Sequence, residues 1–357
     1  MASSSPVPTI TTPLTTLLSI RHPILLAGMA HTSTAPLASA VSNAGGLGVI
    51  GGLGYTPQQL RTMIHELKHS LSSPSLPFGV DLALPAIGGT ARKTNHDYTK
   101  GQLHPLIDVI IEEKTKLFVS AVGVPPREVV DRLHEGGVVV MNMVGHPKHA
   151  VKAFEAGVDI VCAQGGEGGG HTGEIGTQLL VGACVDVARR YRPRMLGGDR
   201  EGLVVAAGGI WDGRGLAGAL GIGAVGVWVG TRFVASEEAG CSWAHKEAVV
   251  EAGWEDTTRT LVVSGRPLRV RRNEYIAEWE RKEEKVKELT GRGVVPMEYD
   301  MENDNDVDFP FLMGVVAAEI KDIKPARRIV EDMVGEAVEM MRVCQGYLGG
   351  GSRESKL

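Results

Sequence analysis

A carboxamide and an imidazole stand seven residues apart in residues 163–173, AQGGEGGGHTG, with little but glycine between them. Gln164 can offer its amide to a carbonyl or a ring nitrogen, and the His171 ring can take or give a proton near neutral pH. Glycine is entropically costly, so six in eleven positions imply unusual dihedrals or a backbone that is closely approached. Asp81 in PFGVDL, His146 after VVVMNMV and Cys162, two residues before Gln164, are further groups with chemical potential. A single histidine is more often structural than reactive. The glycine-dense setting reverses that preference for His171, whereas Cys162 reads as buried packing.

These groups fall at the ends of recurring elements. Apolar or β-branched runs at 24–28, 48–52, 77–82, 116–122, 138–144, 159–164, 203–209 and 225–231 predict eight strands. Helical segments separate most of them, with Pro36, Pro57, Pro126 and Pro147 at the first-turn position that proline tolerates. Such alternation implies parallel strands, and eight units without a reversal point favour a closed (β/α)8 TIM barrel over an open doubly wound sheet.

In a barrel of this kind chemistry sits where strands end, and the loops after the seventh and eighth are the usual phosphate corner. Here those loops read AAGGIWDGRG and VWVGTRF, so the amides of Gly208, Gly209, Gly230 and Thr231 can converge on a phosphate dianion. No Walker or Rossmann fingerprint accompanies them. The pattern suggests FMN or a phosphorylated small substrate; the alternative is that the glycines only make tight strand-to-helix turns.

The totals narrow the class. A net charge of −5 without a basic stripe excludes nucleic acid as an expected partner, and no apolar run is long enough to span a bilayer. Four cysteines without metal spacing read as reduced thiols. We expect an N-terminal arm over 1–20, frayed over MASSSPVPTITTP, the barrel over 21–255 and a small, mainly helical inserted lid over 256–318. A helix packing back over 319–346 and a flexible tail over 347–357 would follow. The acidic stretch at 298–308 reads as poorly structured. The tail ends in Ser355-Lys356-Leu357, the tripeptide read by the peroxisomal import receptor, which makes peroxisomal localisation the expectation.

AQGGEGGGHTG, AAGGIWDGRG and GVWVGTRF resemble signature segments of the nitronate monooxygenases, formerly called 2-nitropropane dioxygenases. PFGVDLALP, VVVMNMVGHP and SGRPLRVRRNEYI extend the likeness. The resemblance implies a TIM barrel holding FMN without a covalent link. It places Gly28 and Met29 along the flavin ring, with Asp81, Gln164 and Gly169 in contact with it. Gly209 and the run Trp228, Val229, Gly230 and Thr231 would hold the phosphate, and His171 would be the catalytic histidine. Asp81 would bring a negative charge where many relatives carry a neutral amide. The implied reaction oxidises an alkyl nitronate resembling propionate-3-nitronate, or a nitroalkane, with O2 to a carbonyl compound and nitrite. His171 would bind the nitro oxygens or act as a base with an ordinary pKa. An FMN-dependent NAD(P)H reductase of enoyl thioesters or quinones is the rival on the same scaffold. A non-catalytic flavin-binding protein is the alternative of another class, and a homo-oligomer is compatible with either.

Overall fold

The computed structural model describes residues 8–86, 89 and 91–348; the terminal Ser355-Lys356-Leu357 lies outside them. The eight expected strands are present as β1 (Ile24–Leu26), β2 (Gly48–Gly51), β3 (Phe78–Ala83), β4 (Leu117–Ala121), β5 (Val139–Val144) and β6 (Ile160–Gln164). A two-residue strand β7 (Gly170–His171) follows, then β8 (Leu203–Ala207) and β9 (Gly226–Val229). The parallel order is β1-β9-β8-β6-β5-β4-β3-β2. Leu26 N donates to Leu47 O and Leu47 N to Ile24 O, each at 2.9 Å, which closes the ring between β1 and the start of β2. The open-sheet rival is excluded, and the fold is a TIM barrel.

Alternation along the strands separates two apolar layers. Leu25, Val49, Leu117, Val119, Met141, Ile160, Cys162 and Val205 fill the lumen. Ile24, Leu26, Phe118, Val140 and Val161 face the surrounding helices. Cys162 is fully buried in the lumen, as the packing reading requires.

The described part of the arm expected over 1–20 is ordered from Thr12 onward. Pro13–Leu18 is a helix capped reciprocally by Thr12 and Thr15, and Leu14 and Leu18 enter the lumen cluster with no exposed surface. The spacing of four puts both leucines on one face, and that face plugs the barrel floor. Thr12 Oγ1 donates to Val225 O at 2.7 Å, pinning the plug to the start of β9.

The inserted region is mainly helical, with Glu274–Glu280, Glu283–Arg292 and Pro296–Glu302 around Val262, Ile276, Trp279 and Leu289. Its face toward the barrel is not helical. Strands β10 (Thr257–Thr260) and β11 (Leu268–Arg271) form an antiparallel pair, and β11 also pairs with β7, Leu268 opposite His171. The acidic stretch is also more ordered than expected. Asp300 is buried and accepts from Tyr275 Oη at 2.8 Å, Trp279 Nε1 at 2.6 Å and Asn305 Nδ2 at 2.9 Å. The final helix, Ala326–Gly346, packs back on the barrel helices Gly213–Gly221 and Ala35–Asn43. Among the described residues no helix is long and apolar enough to cross a membrane.

Candidate active site at the carboxyl ends of the strands

A cavity of about 1170 Å³ opens where the strands end. Eleven of the twelve predicted residues line it: Gly28, Met29, Asp81, Gln164, Gly169, His171, Gly208, Gly209, Trp228, Gly230 and Thr231. Val229 does not; its side chain is fully buried among the helices' apolar layer, and its carbonyl accepts from Ala27 N at 2.9 Å. Alternation turns Val229 away from the lumen when it turns Trp228 toward it. The volume exceeds the roughly 300–1,000 Å³ of a pocket for one drug-sized ligand, leaving room for a cofactor and a second molecule.

His171 is held from three directions. Its backbone belongs to the β7–β11 ladder, and Gln164 Nε2 donates to His171 O at 2.8 Å and to Gly169 O at 3.3 Å. Its ring Nε2 lies 3.0 Å from Ser264 Oγ. The Ser264 hydroxyl has one proton to give, and its other acceptor, Arg266 O, is at 3.5 Å. The hydroxyl thus ties the imidazole to the main chain of Arg266 and fixes the plane of the ring. Burial first, and the charge of Arg266 second, bring the His171 pKa down from 6.5 to about 4, so the ring is neutral at physiological pH. Gln164 acts here chiefly as a brace for the histidine loop, its amide protons taken up by that loop's own carbonyls.

The glycine density has two causes. A Cβ on Gly165 would lie 2.5 Å from Thr177 backbone, on Gly169 2.6 Å from Met313 C, and on Gly173 2.5 Å from Gly145 O. The loop is thus pressed against neighbouring main chain, so much of the glycine requirement comes from the protein itself. At the phosphate corner the position differs. Gly208 and Gly209 take φ of 93° and 71°. Among the described residues, the amides of Gly208, Gly209, Gly230 and Thr231 have no acceptor within the protein. Thr231 Oγ1 accepts from Gly314 N at 2.9 Å, which ties this corner to the segment after the insertion.

Asp81 departs from expectation. It is buried, Oδ1 has no hydrogen-bond partner, and burial pushes its pKa well above the usual carboxylate range. Burial thus favours its protonated form over the anion expected. Gly28 must be glycine beneath it, because a Cβ there would lie 2.3 Å from Asp81 Oδ2. His146 lines the cavity wall, but its Nδ1 accepts from Lys148 N at 3.1 Å and caps the next helix.

Sequence reasoning missed Ser264, Arg266, Asn95, Tyr98 and Val122. Arg266 donates to Asn95 Oδ1 at 3.1 Å and Val122 O at 2.9 Å, and Tyr98 lies near enough to couple with it electrostatically. Three of the five come from the loops after β3 and β4. The only sequence signal was the SGRP tetrapeptide, to which no function attached.

The nitronate monooxygenase family model matches residues 11–336. A probable nitronate monooxygenase of Staphylococcus saprophyticus is 30% identical over 93% of this chain and 99% of its own. A hydroxy-methyl-oxo-octahydro-indene-carboxyl-CoA dehydrogenase of Mycobacterium tuberculosis is 37% identical over 75% of this chain and 68% of its own. Among solved structures, FabK from Thermotoga maritima superposes with a TM-score of 0.76 at 36% identity, covering 95% of this chain and 100% of that one. The site geometry and the match across nearly the whole barrel and its insertion agree: this chain is an oxidoreductase of the nitronate monooxygenase family.

Proposed function

We propose that the protein binds FMN non-covalently in this cavity and uses it to oxidise alkyl nitronates with O2 to carbonyl compounds and nitrite. The observation that carries the reading is His171, a neutral, oriented imidazole on the wall of a cavity wider than one ligand needs, in a chain of this family. Family membership implies a flavin, and the residues fit one. The orphaned Asp81 Oδ1 and the unmatched amides of Gly208, Gly209, Gly230 and Thr231 are the donors and acceptors that a polar heterocycle and a phosphate require. Bound there, the flavin would supply the redox chemistry, accepting electrons from the substrate and passing them to dioxygen.

The chain's own residues bind, orient and shield. Gly28 and Met29 offer a flat, apolar edge, and Asp81 offers a buried carboxyl oxygen that has no partner within the protein. With its proton on Nδ1, His171 would donate to the nitronate oxygens, and Gln164 and Ser264 hold the ring in place. An imidazole with a pKa near 4 is a poor base toward a carbon acid, so the base role that assumed an ordinary pKa is replaced by hydrogen-bond donation. The substrate class is therefore the preformed nitronate anion rather than the neutral nitroalkane.

A second reading is favoured by the 37% identity to the carboxyl-CoA dehydrogenase. On that reading the same flavin exchanges hydride with a pyridine nucleotide or a CoA thioester. One experiment separates the two. The FMN-reconstituted protein is mixed anaerobically with an alkyl nitronate and, separately, with NADH and NADPH, and the visible spectrum is followed. Reduction by the nitronate, with nitrite formed on admitting air, supports the proposal. Bleaching by NADH or NADPH alone transfers the assignment to the reductase. A protein that stays colourless after FMN treatment removes both.

A further inference from the structure

Three arginines of the insertion approach the glycine loop, and they are not equivalent. Arg259 is paired with Glu174 at 3.4 Å. Arg269 gives two donors to Gly166 O, at 2.9 and 3.1 Å, and one to Thr257 Oγ1, so it clamps the loop from outside. Arg266 lines the cavity, and among the described residues no carboxylate lies within ion-pair distance of it. Its two recorded partners, Asn95 Oδ1 and Val122 O, are both neutral.

That arrangement is expensive. A partly buried cation with only neutral partners keeps much of its desolvation penalty. Val122, whose carbonyl accepts from the guanidinium, is a β-branched residue at a φ of 74°, a strained conformation for such a side chain. Strain of this kind persists where the surroundings enforce it, and here it aims a carbonyl at the guanidinium. Arg92, also on the cavity wall, adds like charge to Arg266 rather than relief. Arg266 is two residues from Ser264, whose hydroxyl meets the His171 ring; both Arg266 and His171 line the cavity, and the guanidinium charge acts on the imidazole.

We propose that Arg266 is the anion receptor of the substrate subsite, taking the negatively charged oxygens of the nitronate while His171 donates to the same group. The assignment rests on the nitronate reading and sharpens it: the site selects anion over neutral substrate through a cation held ready without a counter-ion. Asn95 and Val122 are positioning residues that keep the guanidinium extended. A planar fork with free donors suits a two-oxygen anion better than a point charge does.

The test uses the FMN-loaded protein and nitrite as a non-reacting probe. Nitrite affinity is read from perturbation of the flavin spectrum, alongside KM and kcat for an alkyl nitronate. Arg266→Met is expected to weaken nitrite binding and raise KM by about tenfold to a hundredfold. Flavin content and the far-ultraviolet circular dichroism should stay parental, and kcat should fall much less than KM rises. Arg266→Lys should recover part of the loss. Asn95→Ala, which leaves the charge in place, should give a smaller shift in the same direction. The parental protein should also lose nitrite affinity with added salt, and Arg266→Met should not.

Unchanged KM and nitrite affinity in a folded, flavin-loaded Arg266→Met protein would overturn the assignment while leaving the nitronate reading intact. A parental protein that does not turn over nitronates would overturn that reading instead, and the nitrite titrations would still decide the receptor. If ADP-ribose rather than nitrite loses affinity in Arg266→Met, the residue serves a nucleotide, and the proposal is wrong.

Discussion

The His171 ring lies 3.0 Å from the Ser264 hydroxyl although 93 residues separate them in the chain. The barrel supplies the imidazole and the insertion supplies its partner, so the reactive face exists only when the two are docked. Removing that partner as Ser264→Ala frees the ring. A hydrogen bond of about 1 kcal/mol corresponds to roughly fivefold in rate. We expect kcat to fall by that order with flavin content unchanged, measured by steady-state nitrite release.

The depressed basicity of His171 has a readable sign. Between about pH 4 and 6.5 the unfolded chain binds a proton on this ring and the native chain does not. This residue therefore makes native stability rise with pH across that window, and the contribution is lost on acidification through about pH 4. Nuclear magnetic resonance titration of the folded protein should place the His171 midpoint near 4. A midpoint near 6.5 would contradict the buried, Arg266-facing environment.

Gly169 and Gly170 should respond differently to alanine although they are neighbours. A Cβ on Gly169 meets Met313 C and Gly314 N at 2.6 and 2.7 Å, both main chain and unable to yield. We expect Gly169→Ala to cost about 1–3 kcal/mol and to pull Gly314 away from Thr231, lowering flavin affinity as well as melting temperature. Gly170 has open space but a φ of 70°. Gly170→Ala should cost only the left-handed backbone, about 1–2 kcal/mol, with flavin affinity retained. Thermal melts and flavin fluorescence quenching check both.

Asp300 organises the insertion. Asp300→Ala leaves the donors of Tyr275 and buried Trp279 without their acceptor, a loss of about 1–3 kcal/mol in denaturant unfolding. Burial opposes ionisation, but the bonds from Asn305, Tyr275 and Trp279 outweigh it and hold the carboxyl below its ordinary value. Its stabilising contribution is accordingly complete at neutral pH and disappears as pH falls through that lowered value. The parental protein should lose the difference from Asp300→Ala in strong acid.

The barrel was legible because its signals are local. Each strand run from 24–28 to 225–231 is bounded by glycine or proline and matches an observed strand to within two residues. Glycines after β1, β2, β6, β8 and β9 mark the active rim. The N-terminal helix was missed because six residues carry too short a pattern to announce a lumen plug. The β10–β11 pair was missed because TTRT does not alternate and LRVR, though it alternates, is only four residues long; the pair gains its order by capturing His171.

Charge state was decided at a distance. The Asp81 carboxyl is pushed toward its protonated form and the His171 ring is kept neutral because the folded cavity desolvates both. Sequence alone determined which barrel strands form, where they end and which side chains stand at those ends, since periodicity and turn chemistry act over a few residues. The tertiary structure decided which residues meet across the cavity. Ser264 and Arg266 reach His171 through the insertion, and Asn95 and Val122 hold Arg266 from two other loops. Burial, Coulomb coupling and long-range hydrogen bonding depend on positions in space that the order of residues does not contain.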